Sequence, residues 1–250
     1  MKLLRFRFQD ETKFGVIEGN EVVVLEEDFL LSIKRSSSRV SFDEIELLSP
    51  VSPSKFICVG LNYIDHANEM KEKLPDEPVL FLKPSTAINH PNYPIYYPPQ
   101  TKELHYEAEL AVVIGKTAKN VMIEDAKNYI LGYTCGNDVT ARDLQRKDIQ
   151  WTRSKSFDSF APIGPWIETE IDPSSLDIKL LLNDEIKQRS NTSNLIFKPD
   201  FLVSFISSIM TLLPGDVIMT GTPSGVGPMK VGDSVSVVIE NIGTLTNKIE

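Results

Sequence analysis

The segment His105-Tyr106-Glu107-Ala108-Glu109-Leu110-Ala111-Val112-Val113-Ile114-Gly115 alternates, then turns wholly apolar before a glycine. Successive strand side chains point to opposite faces, so Glu107 and Glu109 share one side while Ala108, Leu110, Val112 and Ile114 form an apolar stripe on the other. Two carboxylates held a few ångströms apart resist joint ionisation unless a cation or proton neutralises them. Outward from this segment, strand-length apolar runs recur between Gly and Pro punctuation: Phe56 to Val59, Val79 to Leu82, Ile130 to Cys135, Ile178 to Leu182, Val217 to Met219 and Ser234 to Ile239. Few helical windows compete with them, and one is the clearest. It starts near Pro199, repeats Leu202, Phe205, Ile206 and Ile209 at steps of three and four, and ends at Leu213-Pro214-Gly215-Asp216. The pattern predicts a mainly β, α+β chain.

Residues 1–50 read as a small β-rich subdomain, with strands Leu3 to Phe8, Lys13 to Glu18 and Glu21 to Leu25, followed by a serine-rich charged stretch. Ser49-Pro50-Val51-Ser52-Pro53 cannot continue a helix or a central strand and is the expected junction. Residues 51–250 form the main domain. The 250 residues carry 26 Lys plus Arg against 35 Asp plus Glu, a formal charge of -9, which excludes a basic nucleic-acid binder because such a surface repels phosphate. The longest apolar run, Phe201 to Leu213, is interrupted by serines and is shorter than the roughly 20 residues of a membrane span. Charges in Met1-Lys2-Leu3-Leu4-Arg5 stand where a secretory signal needs apolar residues, so a cytoplasmic protein is expected. Cys58 and Cys135 lie in apolar, β-prone runs and read as buried thiols.

Chemistry is suggested at four places. Asp138, after the strand ending at Cys135 and the turn Gly136-Asn137, adds a third carboxylate to Glu107 and Glu109. Three oxygen ligands without neighbouring His or Cys favour Mg²⁺, or Mn²⁺ or Ca²⁺, over zinc. The residues alone equally allow two glutamates facing solvent from an edge strand. In Asn62-Tyr63-Ile64-Asp65-His66-Ala67-Asn68-Glu69, positions three apart share a helix face, so Glu69 can orient His66 as a general base; a purely structural histidine is the alternative. Arg142, Arg153 and Lys155, near Asp138 in sequence, suit an anionic substrate or a solvated loop. Met219-Thr220-Gly221-Thr222-Pro223-Ser224-Gly225 lacks the endings of a P-loop or a dinucleotide fingerprint; its amides and Thr222 suit a substrate carboxylate, or a plain turn.

The order of these pieces is more specific than any one of them. Gly60-Leu61-Asn62-Tyr63 with His66 and Glu69, Phe81-Leu82-Lys83-Pro84, Tyr106-Glu107-Ala108-Glu109-Leu110, Asn137-Asp138 with Ala141-Arg142-Asp143, Lys155-Ser156-Phe157-Asp158 and Thr220-Gly221-Thr222-Pro223 together resemble the fumarylacetoacetate hydrolase family, from roughly Lys55 onward. The short N-terminal part resembles its shorter bacterial and archaeal members. The resemblance implies a mixed β-sandwich roll, a homodimer, and Mg²⁺ or Mn²⁺ held by Glu107, Glu109 and Asp138. It implies a catalytic His66–Glu69 pair and an active-site Lys155, with Lys83, Arg142, Gln145 and Thr222 near a 2-oxo acid or diketo acid substrate. The first expectation is hydrolysis of a C–C bond in an acylpyruvate or related 2,4-diketo acid through an enolate that the cation stabilises. Decarboxylation or isomerisation of 2-oxo dicarboxylates is the alternative, and a non-catalytic small-molecule binder a third.

Overall fold

The computed structural model describes residues 1–65 and 74–250. Among them the largest sheet runs, in spatial order, through Arg35–Ser41, Glu21–Leu25, Glu11–Glu18, Lys2–Phe8, Ala161–Glu168, Ile130–Asn137, Ala108–Ile114, Val217–Met219, Phe56–Gly60 and Val79–Lys83. It is mixed: Val217–Met219 lies parallel to Phe56–Gly60 and antiparallel to Ala108–Ile114. A second sheet is built from Glu185–Asn191, Asp177–Leu182, Ser234–Ile239, Gly243–Ile249 and Pro94–Ile95, and a third, small one from Thr140–Ala141, Leu104–Tyr106 and Gly227–Met229.

The first two sheets form a sandwich. Leu110, Val112 and Ile114 join Ile178, Leu180, Val235 and Val237 in one core, while Ala111 and Val113 on the opposite face join Phe56, Val217, Leu3 and Phe29 in another. Apolar cover on both faces is why Leu110 to Ile114 reads as a continuous apolar run and not as an alternation. Burial disfavours both thiolates, with Cys58 raised and Cys135 pushed up to about 12, so both cysteines remain inert core thiols.

Four expectations are corrected. The strand expected from Glu107 begins at Ala108, because Asn137 Oδ1 accepts the Glu107 N–H at 3.0 Å and the chain changes sheets at that residue. Gly136 and Asn137 are the end of the strand Ile130–Asn137 and not a turn, paired with Glu109 and Ala108. The serine-rich stretch forms the edge strand Arg35–Ser41, where Arg35 and Arg39 pair with Glu18 and Val40 turns inward; cross-strand pairing overrides poor local propensity. In the helix Pro199–Ile209 the buried face is Leu202, Val203 and Ile206, and Ile209 lies exposed. The N-terminal strands also extend the main sheet, Leu3 pairing with Ile167, and Leu48 to Val51 of the junction are buried.

Candidate active site

The sandwich places the three carboxylates at one end of neighbouring strands. Glu109 belongs to Ala108–Ile114, Glu107 immediately precedes it, and Asp138 follows Ile130–Asn137, with its N–H donating to the Glu107 carbonyl at 2.9 Å. Each offers an oxygen, all three oxygens lying within 4.8 Å of one another, and all three residues are buried.

Their electrostatic surroundings differ. Glu107 receives Arg142 on one oxygen and Lys155 Nζ, at 2.8 Å, on the other. Asp138 receives Lys155 Nζ at 2.6 Å and Lys83 Nζ. Glu109 has no ion pair among the described residues and accepts a single N–H, from Gly221 at 2.7 Å. Burial works to raise the Glu107 carboxyl, but Lys155 and Arg142 overcome it and hold that group well below the carboxylate range. Burial, then the charges of Asp138 and Glu107, push Glu109 well above it. Lys155 is buried too, which works against its charge, yet Asp138 and Glu107 keep its ammonium favoured. Arg142, Lys155 and Lys83 between them match the charges of Glu107 and Asp138, and the buried Glu109, without an ion pair among the described residues, is the carboxylate that leaves a place for a hard divalent cation.

The carboxylates open onto a cavity of about 240 Å³. The helix Arg142–Lys147 turns Arg142, Gln145 and Arg146 to one side of it, and Arg142 Nη1 donates to Gln145 Oε1 at 2.5 Å. Thr222 and Lys155 line it as well, as do Phe81 and Trp151, whose rings meet edge to face at 5.3 Å. Two glycines are required here. A Cβ on Gly60 would stand 2.9 Å from the Trp151 ring, and Gly221, at φ +98°, would bring one within 2.8 Å of Asn62 Cβ. Asn62 ties the neighbouring loops together, its amide donating to the Thr220 carbonyl at 2.7 Å and its Oδ1 accepting the Phe197 N–H at 2.7 Å.

Arg142, Gln145, Lys155 and Thr222 thus share one cavity with the carboxylates. Lys83 is fully buried and spends its three hydrogens on Asp138 and on the carbonyls of Phe160 (2.6 Å) and Val139 (3.1 Å), so it braces the aspartate. Arg153 is exposed and pairs with Asp148, away from the cavity. The Gly221 amide serves Glu109 and not a substrate carboxylate. His66 and Glu69 lie outside the described residues. Asn62 and Phe81 stand in the quoted motifs but were given no role there, and Trp151 was not singled out by sequence reasoning; their roles come from partners far along the chain. Lys83→Met should cost about 1–3 kcal/mol in urea unfolding without metal, since it removes one of the two cations on buried Asp138 and the donor to the Val139 and Phe160 carbonyls. An unchanged midpoint would remove Lys83 as the brace.

Residues 55–250 match the family described as Fumarylacetoacetate (FAA) hydrolase C-terminal, and residues 1–50 match Rv2993c-like, N-terminal. The chain is 43% identical over 218 residues to oxaloacetate tautomerase Fahd2a, mitochondrial, of Rattus norvegicus, covering 82% of this chain and 70% of that one. Among solved structures, a 5-carboxymethyl-2-hydroxymuconate delta-isomerase from Mycobacterium smegmatis superposes with a TM-score of 0.94 at 45% identity, covering 100% of this chain and 99% of that one. A fumarylacetoacetate hydrolase from psychrophilic Exiguobacterium antarcticum does so with a TM-score of 0.90 at 36% identity, covering 100% and 99%.

Proposed function

The chain belongs to the fumarylacetoacetate hydrolase family, and from that premise we propose that it is a divalent-cation-dependent enzyme promoting keto–enol exchange or double-bond isomerisation in a 2-oxo dicarboxylate such as oxaloacetate. The observation that carries this reading is Glu109, a buried carboxylate beside Glu107 and Asp138 that has no ion pair among the described residues. The tautomerase and isomerase among its relatives support the choice of reaction. Bound Mg²⁺ or Mn²⁺ would be held by Glu107, Glu109 and Asp138 and would supply Lewis-acid polarisation of the substrate's 2-oxo group.

The remaining work falls to the chain's own groups. Arg142, Gln145 and Thr222 orient the carboxylates of the substrate, and the Lys155 ammonium offsets negative charge as the enolate develops. Phe81 and Trp151 wall one side and exclude water. His66, oriented by Glu69, carries the proton to and from carbon. His66→Ala should therefore lower the rate by about 10²–10⁴ while Mg²⁺ still raises the melting temperature as in the wild type. A normal rate in that variant would assign the proton to another group.

A second reading, hydrolysis of an acylpyruvate C–C bond, is favoured by the same histidine–glutamate pair, with His66 taking a proton from water, and by the similarity to a solved hydrolase. Oxaloacetate and acetylpyruvate offered side by side, with Mg²⁺ and again after chelation, separate the two. Chelator-sensitive acceleration of the enol-to-keto change without loss of carbon is expected. Acetate and pyruvate released from acetylpyruvate would make it a hydrolase, and CO₂ from oxaloacetate a decarboxylase. Exposed Val79, Leu82 and Ile149, grouped around one depression at the sheet edge, support a homodimer, which sedimentation measures.

A further inference from the structure

We propose that Gln188 sets the hydrogen-bonding direction of Thr222, so that the threonine presents its proton to an anionic oxygen in the cavity and selects for substrates bearing a carboxylate there. The proposal rests on the 2-oxo acid reading above and names a positioning residue for it. Gln188 lies on Glu185–Asn191 of the second sheet and is buried. Its Oε1 accepts the Ala108 backbone N–H at 2.9 Å, and a backbone amide can only donate, so this contact defines which end of the side-chain amide is oxygen. The nitrogen end stands 2.8 Å from the Pro223 carbonyl, which can only accept. Both constraints fix the same orientation.

The two hydrogens of Nε2 go to the two near acceptors, the Pro223 carbonyl and Thr222 Oγ1 at 2.9 Å, with the Ser224 carbonyl farther off at 3.5 Å. Thr222 receives an N–H, and its own single proton has no partner among the described residues. Thr222 lines the cavity together with the three carboxylates and Arg142, so the proton is available to a ligand there. A hydroxyl whose oxygen already accepts is polarised as a donor, the polarity a substrate carboxylate needs. Gln188 also bridges two pieces of the site, since Ala108 stands between Glu107 and Glu109 while Thr222 follows Gly221, whose N–H serves Glu109. It touches no substrate itself.

Gln188→Glu tests this with little change of shape. A carboxylate still accepts the Ala108 N–H but cannot donate, so Thr222 turns its proton inward and its lone pairs toward the ligand. The probe is oxalate, which carries the vicinal oxygens of a 2-oxo acid, titrated calorimetrically into the Mg²⁺-loaded protein. Gln188→Glu and Thr222→Val should each weaken oxalate binding by about tenfold or more, as expected for a hydrogen bond to a charged group. On the Thr222→Val background, Gln188→Glu should add less than about twofold, because the two act as one unit. Mg²⁺ should raise the melting temperature of every variant as it does the wild type. Wild-type affinity in Gln188→Glu, an equal loss on both backgrounds, or loss of the Mg²⁺ response would overturn the assignment, the last by making Gln188 a brace of the metal strand. If Gln188→Glu fails to fold, Gln188→Met enters the same cycle, again with coupling to Thr222 expected. A wild type that binds oxalate yet leaves oxaloacetate unchanged refutes the tautomerase reading and spares this one, whereas a wild type that binds no oxalate refutes this one.

Discussion

Glu109→Gln is expected to lower metal-dependent turnover about a thousandfold or more, the loss of several kcal/mol of cation-supplied stabilisation, without unfolding the protein. Mg²⁺ at a hundred times its Kd should stabilise the wild type by about 2.7 kcal/mol and leave the variant's melting temperature unmoved. The metal-free proteins should differ in the opposite sense. Burial and the charges of Asp138 and Glu107 raise the folded-state Glu109 carboxyl above the ordinary 4.5, so the native chain keeps a proton that the unfolded chain has released. Wild-type stability from this group is then fully present below about 4.5 and lost as pH rises through the raised value. Glutamine does not titrate, so at pH 8 the metal-free variant should be at least as stable as the wild type. Glu107 runs the other way: its lowered carboxyl contributes stability above 4.5 that is lost as pH falls through the folded value, and it does so in both proteins. The difference between the two stability curves therefore isolates Glu109. A variant that still responds to Mg²⁺ would remove Glu109 from the ligand set.

Lys155→Met should separate charge at the site from construction of the site. Its ammonium bridges Glu107 and Asp138 at 2.8 and 2.6 Å and lies 5.0 Å from the Phe81 ring centroid. Losing it leaves Glu107 to Arg142 alone and Asp138 to Lys83 alone, with one buried oxygen of each deprived of its donor, which should cost the metal-free protein about 1–3 kcal/mol. Added Mg²⁺ should recover part of that loss and bind no more weakly than in the wild type, because a competing positive charge has gone. Turnover should still fall by about 10²–10³, since a preorganised cation no longer meets the charge developing on the substrate. Normal turnover with weakened Mg²⁺ binding would make Lys155 a structural partner of the ligands and not a participant in the chemistry.

Much of this site was legible before any coordinates. Glu107 and Glu109 announce themselves because two acids interrupt a run that otherwise reads as core, and Asp138 because it ends a second such run. Arg142 and Thr222 were marked by their local surroundings, and Gln145 entered through the order of motifs. Lys83, from the order of motifs, and Arg153, from its place near Asp138 in sequence, show the limits of both approaches. One is fully buried against Asp138 and two carbonyls while the other pairs with Asp148 in solvent. Gln188 had no signal at all, because in a charged, mostly exposed strand nothing local separates a buried glutamine from a solvated one.

What the amino-acid order determined by itself was strands such as Phe56–Gly60, Ala108–Ile114, Ile130–Asn137 and Ser234–Ile239, the helix after Pro199 and the three acids, since periodicity and punctuation act over neighbouring residues; it did not mark Ala161–Glu168, Glu185–Asn191 or Gly243–Ile249. The tertiary structure alone decided that Arg35–Ser41 is a strand, that the chain changes sheets at Glu107, and which acid has no ion pair among the described residues. Each of these depends on partners tens to more than a hundred residues away, such as Lys83 on Asp138, Gly221 on Glu109 and Gln188 on Ala108 and Thr222. A hydrogen bond or ion pair is specified by two positions in space, and one stretch of chain encodes only its own half.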